Sequence, residues 1–325
     1  MPKTAQKATT RAHANIALVK YWGKGKGRNV PATPSIGLCL DALKTETTAE
    51  RLTKGPDRFS LNGKSATNST KKKLKNYLDL WRRLKLIKGH FHIRSKNHFP
   101  QGAGLASSAS GMAALATALS AFSEKNLSKT EISRLARMGS GSAARSIHGG
   151  MTALPTGKDP VAHQLLKPEE IPWGMVIAIV NTKEKKTSSR DGMNLSKETS
   201  PFYQGWLRQG KKDFSEARAA IVKRDLTRLG QIMEQNTLAM HGVMLSTRPP
   251  LIYWQKTTFT LWRLAEELRA KSLECYATTD AGPNVIFLTH RKDLKKLQKE
   301  IEKVPGVQKS FISLPTLGAK IINKT

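Results

Sequence analysis

The chain has 325 residues, 38% hydrophobic, 24% charged and 6% aromatic, enough for two domains and too apolar for wholesale disorder. Its 55 Lys and Arg against 24 Asp and Glu leave a formal charge of +31, so nucleic acid, acidic membranes and phosphorylated metabolites are all partners to weigh. The longest largely apolar stretch, residues 111–122, is broken by Thr and Ser and is shorter than the ~20 residues of a membrane span.

Residues 1–11 are basic and Thr-rich with no apolar stretch behind them, so no secretory signal is read and a cytoplasmic protein is expected. Strands are predicted at 14–19, 36–40 and the Thr-rich 45–49, then a helix over 69–86 and a short strand at 90–93. In that helix Leu74, Leu78 and Trp81 recur at core spacing, which makes Lys71, Lys72, Lys73 and Lys75 its solvated face. The positive charge is spread, with 22, 12 and 21 Lys and Arg in residues 1–100, 101–200 and 201–325. With no zinc-finger or RNP-type motif, specific nucleic-acid binding is not expected.

After a turn at 100–104, Met112, Leu115, Leu119 and Phe122 recur at helical spacing, a buried helix behind a glycine-rich loop. Ser128 and Glu131 form a capping-box pattern that starts another helix. Residues 176–180 are a continuous apolar run, hence a buried strand, and the polar residues 181–200 form the expected domain junction or a mobile loop. Helices at 214–224, 225–240 and 257–269, strands at 275–278 and 284–289, a Lys-rich helix at 294–304 and a final strand follow. Strands and helices are mixed, which predicts α+β or α/β. Cys39 and Cys275 lack the spacing of a zinc site and are expected to be buried, inert thiols. His90, His92 and His98 have no matching Cys or carboxylate pattern, so no metal site is expected there. His241 is expected to pack or hydrogen-bond on a helix near the cleft, and Trp254 to be core or rim.

Three segments carry chemistry. In Gly102, Ala103, Gly104, Leu105, Ala106, Ser107 and Ser108 two glycines let backbone N–H groups approach a ligand, and the following helix adds donors and a positive dipole. That suits a nucleotide triphosphate, although neither a Walker A loop nor a dinucleotide fingerprint occurs; an ordinary loop capping a helix is the alternative. Arg145 follows Ser140 and Ser142 in a small-residue segment, as expected of a guanidinium that grips a carboxylate or phosphate bidentately, or of close helix packing. Asp280 sits in a tight turn before Gly282, where a carboxylate either caps the local backbone or takes part in chemistry.

With the segment that holds Asn15, Lys20, Tyr21 and Lys24, and with Ser188, Ser189 and Arg190 leading to Gly192 and Met193, these loops occur in one order. From Asn15 to about Asn284 the chain resembles the mevalonate diphosphate decarboxylases of the GHMP kinase superfamily. The set is specific; each motif alone is not. The resemblance implies a two-domain GHMP kinase-like α+β fold, with an N-terminal ATP-binding domain (1–180), a C-terminal ferredoxin-like domain (181–325) and the active site in the cleft between them. It implies ATP and Mg2+, and a homodimer. It further implies ATP-dependent phosphorylation of the 3-hydroxyl of mevalonate 5-diphosphate, then loss of phosphate and carbon dioxide to give isopentenyl diphosphate. In that scheme Asp280 is the base or positioning group, Arg145 holds the substrate carboxylate, Asn15 buttresses it and Lys20 is part of the catalytic set. Tyr21, Lys24, Ser189 and Arg190 grip the diphosphate, Ser140 and Ser142 border the reacting end, and residues 102–108 hold ATP, with Ser108 on the metal. Glu184, Lys185 and Lys186 compete for one further diphosphate-facing position. Decarboxylation of the 5-monophosphate, 3-phosphorylation alone, and more remotely nucleic-acid binding are the other readings.

Overall fold

β1 (Lys7–Val19) begins with alternating buried and exposed residues and ends buried on both faces, because its first half faces solvent on one side and its second half runs between packed elements. The computed structural model describes residues 5–99, 107–183 and 187–325. β2 (Ser35–Leu52) pairs antiparallel with β1 along most of its length, so the two short strands predicted at 36–40 and 45–49 are one continuous strand. β3 (Arg58–Leu61), β4 (Lys64–Ser65) and β5 (His90–Asn97) extend the sheet beyond β2, with β3 and β5 parallel. α1 (Asn68–Arg83), predicted at 69–86, is capped by the Thr67 side chain and buries Tyr77, Leu78 and Trp81.

α2 (Ser107–Ser120) is rich in alanine and buried almost all round. Its small residues let it lie close on β1, where Ala8 and Ala12 belong to the same cluster and the Thr10 hydroxyl donates to Ala114 O at 2.7 Å. α3 (Lys129–Gly139) starts with the predicted capping box of Ser128 and Glu131, α4 (Ala143–Ser146) is a single turn, and β6 (Met151–Leu154) and β7 (His163–Leu166) complete this half beside β2.

β8 (Trp173–Ile179) opens a second, four-stranded antiparallel sheet. It is followed by α5 (Ser189–Thr199), α6 (Tyr203–Lys223), α7 (Leu226–Leu245), α8 (Lys256–Ala270), β9 (Cys275–Thr278), β10 (Val285–His290), α9 (Leu294–Glu302) and β11 (Lys309–Ser313). The sheet order β11-β8-β10-β9 with helices in the two crossovers is the ferredoxin-like pattern. That pattern closes only if the unit starts at Trp173, since a boundary at 180/181 separates β8 from the sheet it bonds to. Within β8, Met175, Ile177 and Ile179 face the cluster that joins the two halves, while Val176 and Ala178, with Val180 just past its end, face α8 and α9; the apolar run is continuous because each face has its own core.

Part of the polar stretch 181–200, expected as a junction or loop, is the helix α5, N-capped by Ser188. α6 begins at Tyr203, ahead of the predicted 214, and ends where Arg224 turns left-handed (φ 57) before Asp225 caps α7. β12 (Lys320–Lys324) returns to the first sheet and pairs with β1. Among the described residues no helix is long and apolar enough to cross a membrane.

Candidate active site

The site forms where β1 ends against the second half of the chain. Lys20 is the first residue past β1; its backbone N–H donates to Asn236 Oδ1 on α7 (2.7 Å) and its Nζ to Asp280 Oδ1 in the β9–β10 turn (2.8 Å). The ammonium is fully buried while the Asp280 side chain keeps 22% exposure, so the pair presents its carboxylate to the cleft. Desolvation pulls the Lys20 pKa below the usual lysine value, Asp280 opposes this and Arg145 adds to it.

Arg145 on α4 is 2% exposed. Its Nε donates to Asn15 Oδ1 at 2.8 Å and its Nη1 to the Ser35 hydroxyl, which leaves the Nη2 edge without a hydrogen-bond partner among the described residues. Asn15 is fixed in turn by donating to Ser142 O (3.0 Å) and to the Ser146 hydroxyl (2.8 Å). Gly37 makes this arrangement possible: a Cβ there would lie 2.6 Å from Asn15 Oδ1 and 2.7 Å from Arg145 Nε. Burial lowers the guanidinium pKa to about 10, with Asp280 the strongest opposing influence. It stays charged at neutral pH, held by neutral partners and free to take a carboxylate on its open edge.

A cationic approach lies beside this pair. Lys24 follows Gly23 in a tight hairpin closed by Gly25 N–H on Val30 O and Ala32 N–H on Gly23 O. Its pKa falls to about 8 through desolvation, then through the charges of Arg190 and Lys73. Lys73 and Arg28, although exposed, are also lowered by desolvation and by Arg190. Desolvated cations gathered around Arg190 in this way are poised for an anion. Ser189 and Arg190 occupy the first turn of α5, where Ser188 accepts from the Asp191 N–H. The Tyr21 hydroxyl donates to Asn29 O at 3.2 Å, its pKa is pushed up to about 12 by burial, and its ring lies against Gly141, where a Cβ would be 2.4 Å from its oxygen.

The structure thus brings together Asn15, Lys20, Ser142, Arg145 and Asp280, and places Tyr21, Lys24 and Arg190 beside them. Ser108, at the start of α2, faces Ser140 with 3.3 Å between their hydroxyl oxygens; Ser107 is the first residue of that helix. Gly102, Ala103, Gly104, Leu105 and Ala106, with Glu184, Lys185 and Lys186, lie outside the described residues. The sequence reading missed Ser35 as a partner of Arg145, Asn236 as the anchor of Lys20, and Lys73 as a member of the cationic cluster. Ser35 and Asn236 carry no local motif. Lys73 is one of four lysines in a helix, and its desolvation beside Arg190, which only the fold reveals, distinguishes it from the others. His241 does hydrogen-bond near the cleft, to Thr279 Oγ1 at 3.1 Å, and Trp254 is at the rim, bonded to both.

A mixed sheet and a ferredoxin-like half that meet around a buried lysine–carboxylate pair, an open-edged arginine and a cationic approach define an enzyme for a small anionic substrate. Residues 12–164 match the family model of the diphosphomevalonate decarboxylase-like N-terminal domain, and residues 175–317 that of the mevalonate 5-diphosphate decarboxylase C-terminal domain. The chain belongs to the mevalonate diphosphate decarboxylase family. It is 33% identical to the diphosphomevalonate decarboxylase of Candida albicans, over 98% of this chain and 95% of the relative. The solved mevalonate diphosphate decarboxylase from Enterococcus faecalis, a study of mevalonate diphosphate-mediated ATP binding, is 39% identical with a TM-score of 0.91, covering 98% of this chain and 99% of that one. A structure of MDDEF in complex with MVAPP, AMPPCP and magnesium is 40% identical, with the same TM-score and coverage.

Proposed function

We propose that the protein catalyses the ATP-dependent decarboxylation of mevalonate 5-diphosphate to isopentenyl diphosphate. The observation that carries the reading is the buried Lys20–Asp280 pair beside Arg145, three charges that act on one another across the junction of the two halves. In this reading Asp280 accepts the proton of the 3-hydroxyl as its oxygen attacks the γ-phosphorus and ADP leaves. Lys20 holds the Asp280 carboxylate in place. The open edge of Arg145 holds the substrate carboxylate, so that the bond to be cleaved is aligned with the departing phosphate. When the phosphate leaves with the carbon–oxygen electron pair, the electrons of the carbon–carbon bond form the alkene and carbon dioxide is released. Lys24, Lys73 and Arg190, with Tyr21 and Ser189, receive the diphosphate, and residues 102–108 with Ser140 receive the nucleotide.

Magnesium fits this site. The Ser108 and Ser140 hydroxyls, 3.3 Å apart at the start of α2, are hard oxygen donors of the kind magnesium takes together with phosphate and water. Bound there, the ion neutralises charge on the phosphates. A cytoplasmic homodimer completes the proposal, supported by the family resemblance; sedimentation of the purified chain tests the dimer.

The deciding assay supplies ATP and magnesium with mevalonate 5-diphosphate, the 5-monophosphate or mevalonate, and follows ADP and carbon dioxide together. Equal ADP and carbon dioxide from the diphosphate is the expected result. ADP without carbon dioxide makes the protein a 3-kinase, preference for the monophosphate changes the substrate, and silence with all three overturns the reading.

A further inference from the structure

Neither member of the Lys20–Asp280 pair is held by regular secondary structure. The β1–β2 ladder ends at Val19, and Asp280 stands in the turn after β9. What reaches both is one buried stripe of α7. Asn236 accepts from the Lys20 N–H (2.7 Å). Thr237 donates to Met233 O (2.7 Å), so the 2.9 Å contact between its oxygen and Thr278 is donated by the Thr278 hydroxyl. His241 Nε2 meets the Thr279 hydroxyl at 3.1 Å and the Trp254 N–H at 3.2 Å. Asn236 and Thr237 are fully buried and His241 is 4% exposed.

The stripe has its own support. Asp213 on α6 is 5% exposed. Its carboxylate accepts from Asn236 Nδ2 and from Gln209 Nε2, each at 2.6 Å, and no Lys, Arg or His among the described residues reaches it. The Lys20 backbone N–H can only donate, so the Asn236 amide turns its oxygen to Lys20 and its NH2 to Asp213, whose carboxyl oxygen holds it there. Burial, with the charge of Lys20, lowers the His241 pKa to about 3, so the imidazole is neutral at working pH and its Nε2 is an acceptor for Thr279 and Trp254.

We propose that this stripe of α7 is the positioning device of the Lys20–Asp280 pair: Asn236, oriented by Asp213, sets Lys20, while Thr237 and His241 set the strand end that carries Asp280. The three are positioning residues, since none touches the reacting atoms. A 20-residue helix is a rigid ruler for two groups that would otherwise rest on a strand end and a turn. The inference rests on Asp280 meeting the substrate hydroxyl, as proposed above.

The test compares the full-length wild type with Asn236→Ala, Asp213→Ala and Asp213→Asn, measuring kcat and KM for mevalonate 5-diphosphate over a range of pH, with thermal unfolding alongside. For Asn236→Ala the expected result is a kcat lower by roughly 10–100-fold with KM within about threefold. The basic limb of the pH profile should move to lower pH. The titratable groups facing Lys20 are Asp280, Arg145 and the neutral His241; a looser contact with Asp280 leaves desolvation and Arg145 less opposed, and Lys20 loses its proton sooner. Asp213→Ala should reproduce the effect, and Asp213→Asn, which keeps an oxygen for the Asn236 amide, should recover about tenfold of it. A folded Asn236→Ala enzyme with wild-type kcat, or one that is merely less stable with an unmoved basic limb, overturns the proposal. Should Asn236→Ala not fold, the Asp213 variants decide, and equal kcat and equal limbs in the two overturn it. A wild type that releases no carbon dioxide strikes the functional reading instead, so the two failures are distinct.

Discussion

Lys20 Nζ and Asp280 Oδ1 stand 2.8 Å apart although the two residues are separated by 260 positions in the chain, the lysine fully buried and the carboxylate open to the cleft. The asymmetry assigns the roles: the ammonium cannot reach solvent and serves its partner, and the carboxylate meets the substrate. Asp280→Asn keeps the shape and removes the proton acceptor. Turnover should fall by about 10²–10⁴ while ATP binding, measured by fluorescence titration, stays within about threefold. The variant should also lose stability on the order of 1–3 kcal/mol, because a buried ammonium keeps only a neutral acceptor. Preserved turnover removes Asp280 from the mechanism.

Arg145 is a harder residue to replace than its charge suggests. Asn15 and Ser35 use Nε and Nη1, so Arg145→Lys offers one ammonium to three acceptors, two from the protein and one from the substrate. We expect Arg145→Lys and Arg145→Ala both to lower kcat by at least about 100-fold, with ATP hydrolysis and carbon dioxide release falling together. A lysine variant with near wild-type kcat would show that charge alone suffices at this position.

How far the sequence was legible follows from where each contact partner lies. Arg145 and Asp280 sit in short runs of small and polar residues that suggest chemistry without deciding it, and Lys20, between Val19 and Tyr21, is singled out only by the family resemblance of its segment. Asn236 meets Lys20 across 216 residues from within a helix whose pattern reports only an apolar face, so nothing local marks it. After the Lys-rich helix one final strand was expected and the structure has two, β11 and β12; all five residues of β12 are exposed, so it carries no core-facing alternation, and pairing with β1 makes it a strand. The helix in the stretch 181–200 was hidden because Ser, Asn and Lys suit a loop as well as the exposed face of an amphipathic helix, and the decisive feature, Ser188 capping Asp191 N–H, is a matter of geometry.

Gly37 carries no charge and no unusual φ, yet its Cα hydrogen is all that fits between Asn15 and Arg145. Gly37→Ala should displace both side chains, each buried and multiply bonded, at a cost of about 1–3 kcal/mol. Thermal unfolding should show the loss of stability, and kcat should fall more than KM rises because the guanidinium no longer meets the carboxylate in line. An alanine variant with unchanged Tm and kcat would mean that the two side chains have room the geometry denies.

Lys24 gives the cationic approach a pH signature. Its pKa in the free protein is about 8, lowered by desolvation, then by Arg190 and Lys73, and opposed only by Asp191. A bound diphosphate favours the ammonium and raises that value again, so binding just above pH 8 must take up protons, whereas at pH 6 Lys24 is already charged and takes up none. Calorimetric titration of mevalonate 5-diphosphate at pH 8.5 in two buffers of different ionisation heats should therefore show uptake that disappears in Lys24→Met. Affinity should decline as pH rises through 8. Folding follows the opposite sign: the folded state holds fewer protons than the unfolded chain between about 8 and the ordinary lysine value, so this residue's penalty on stability is full below pH 8 and fades above it. Equal uptake in wild type and Lys24→Met would place the diphosphate elsewhere.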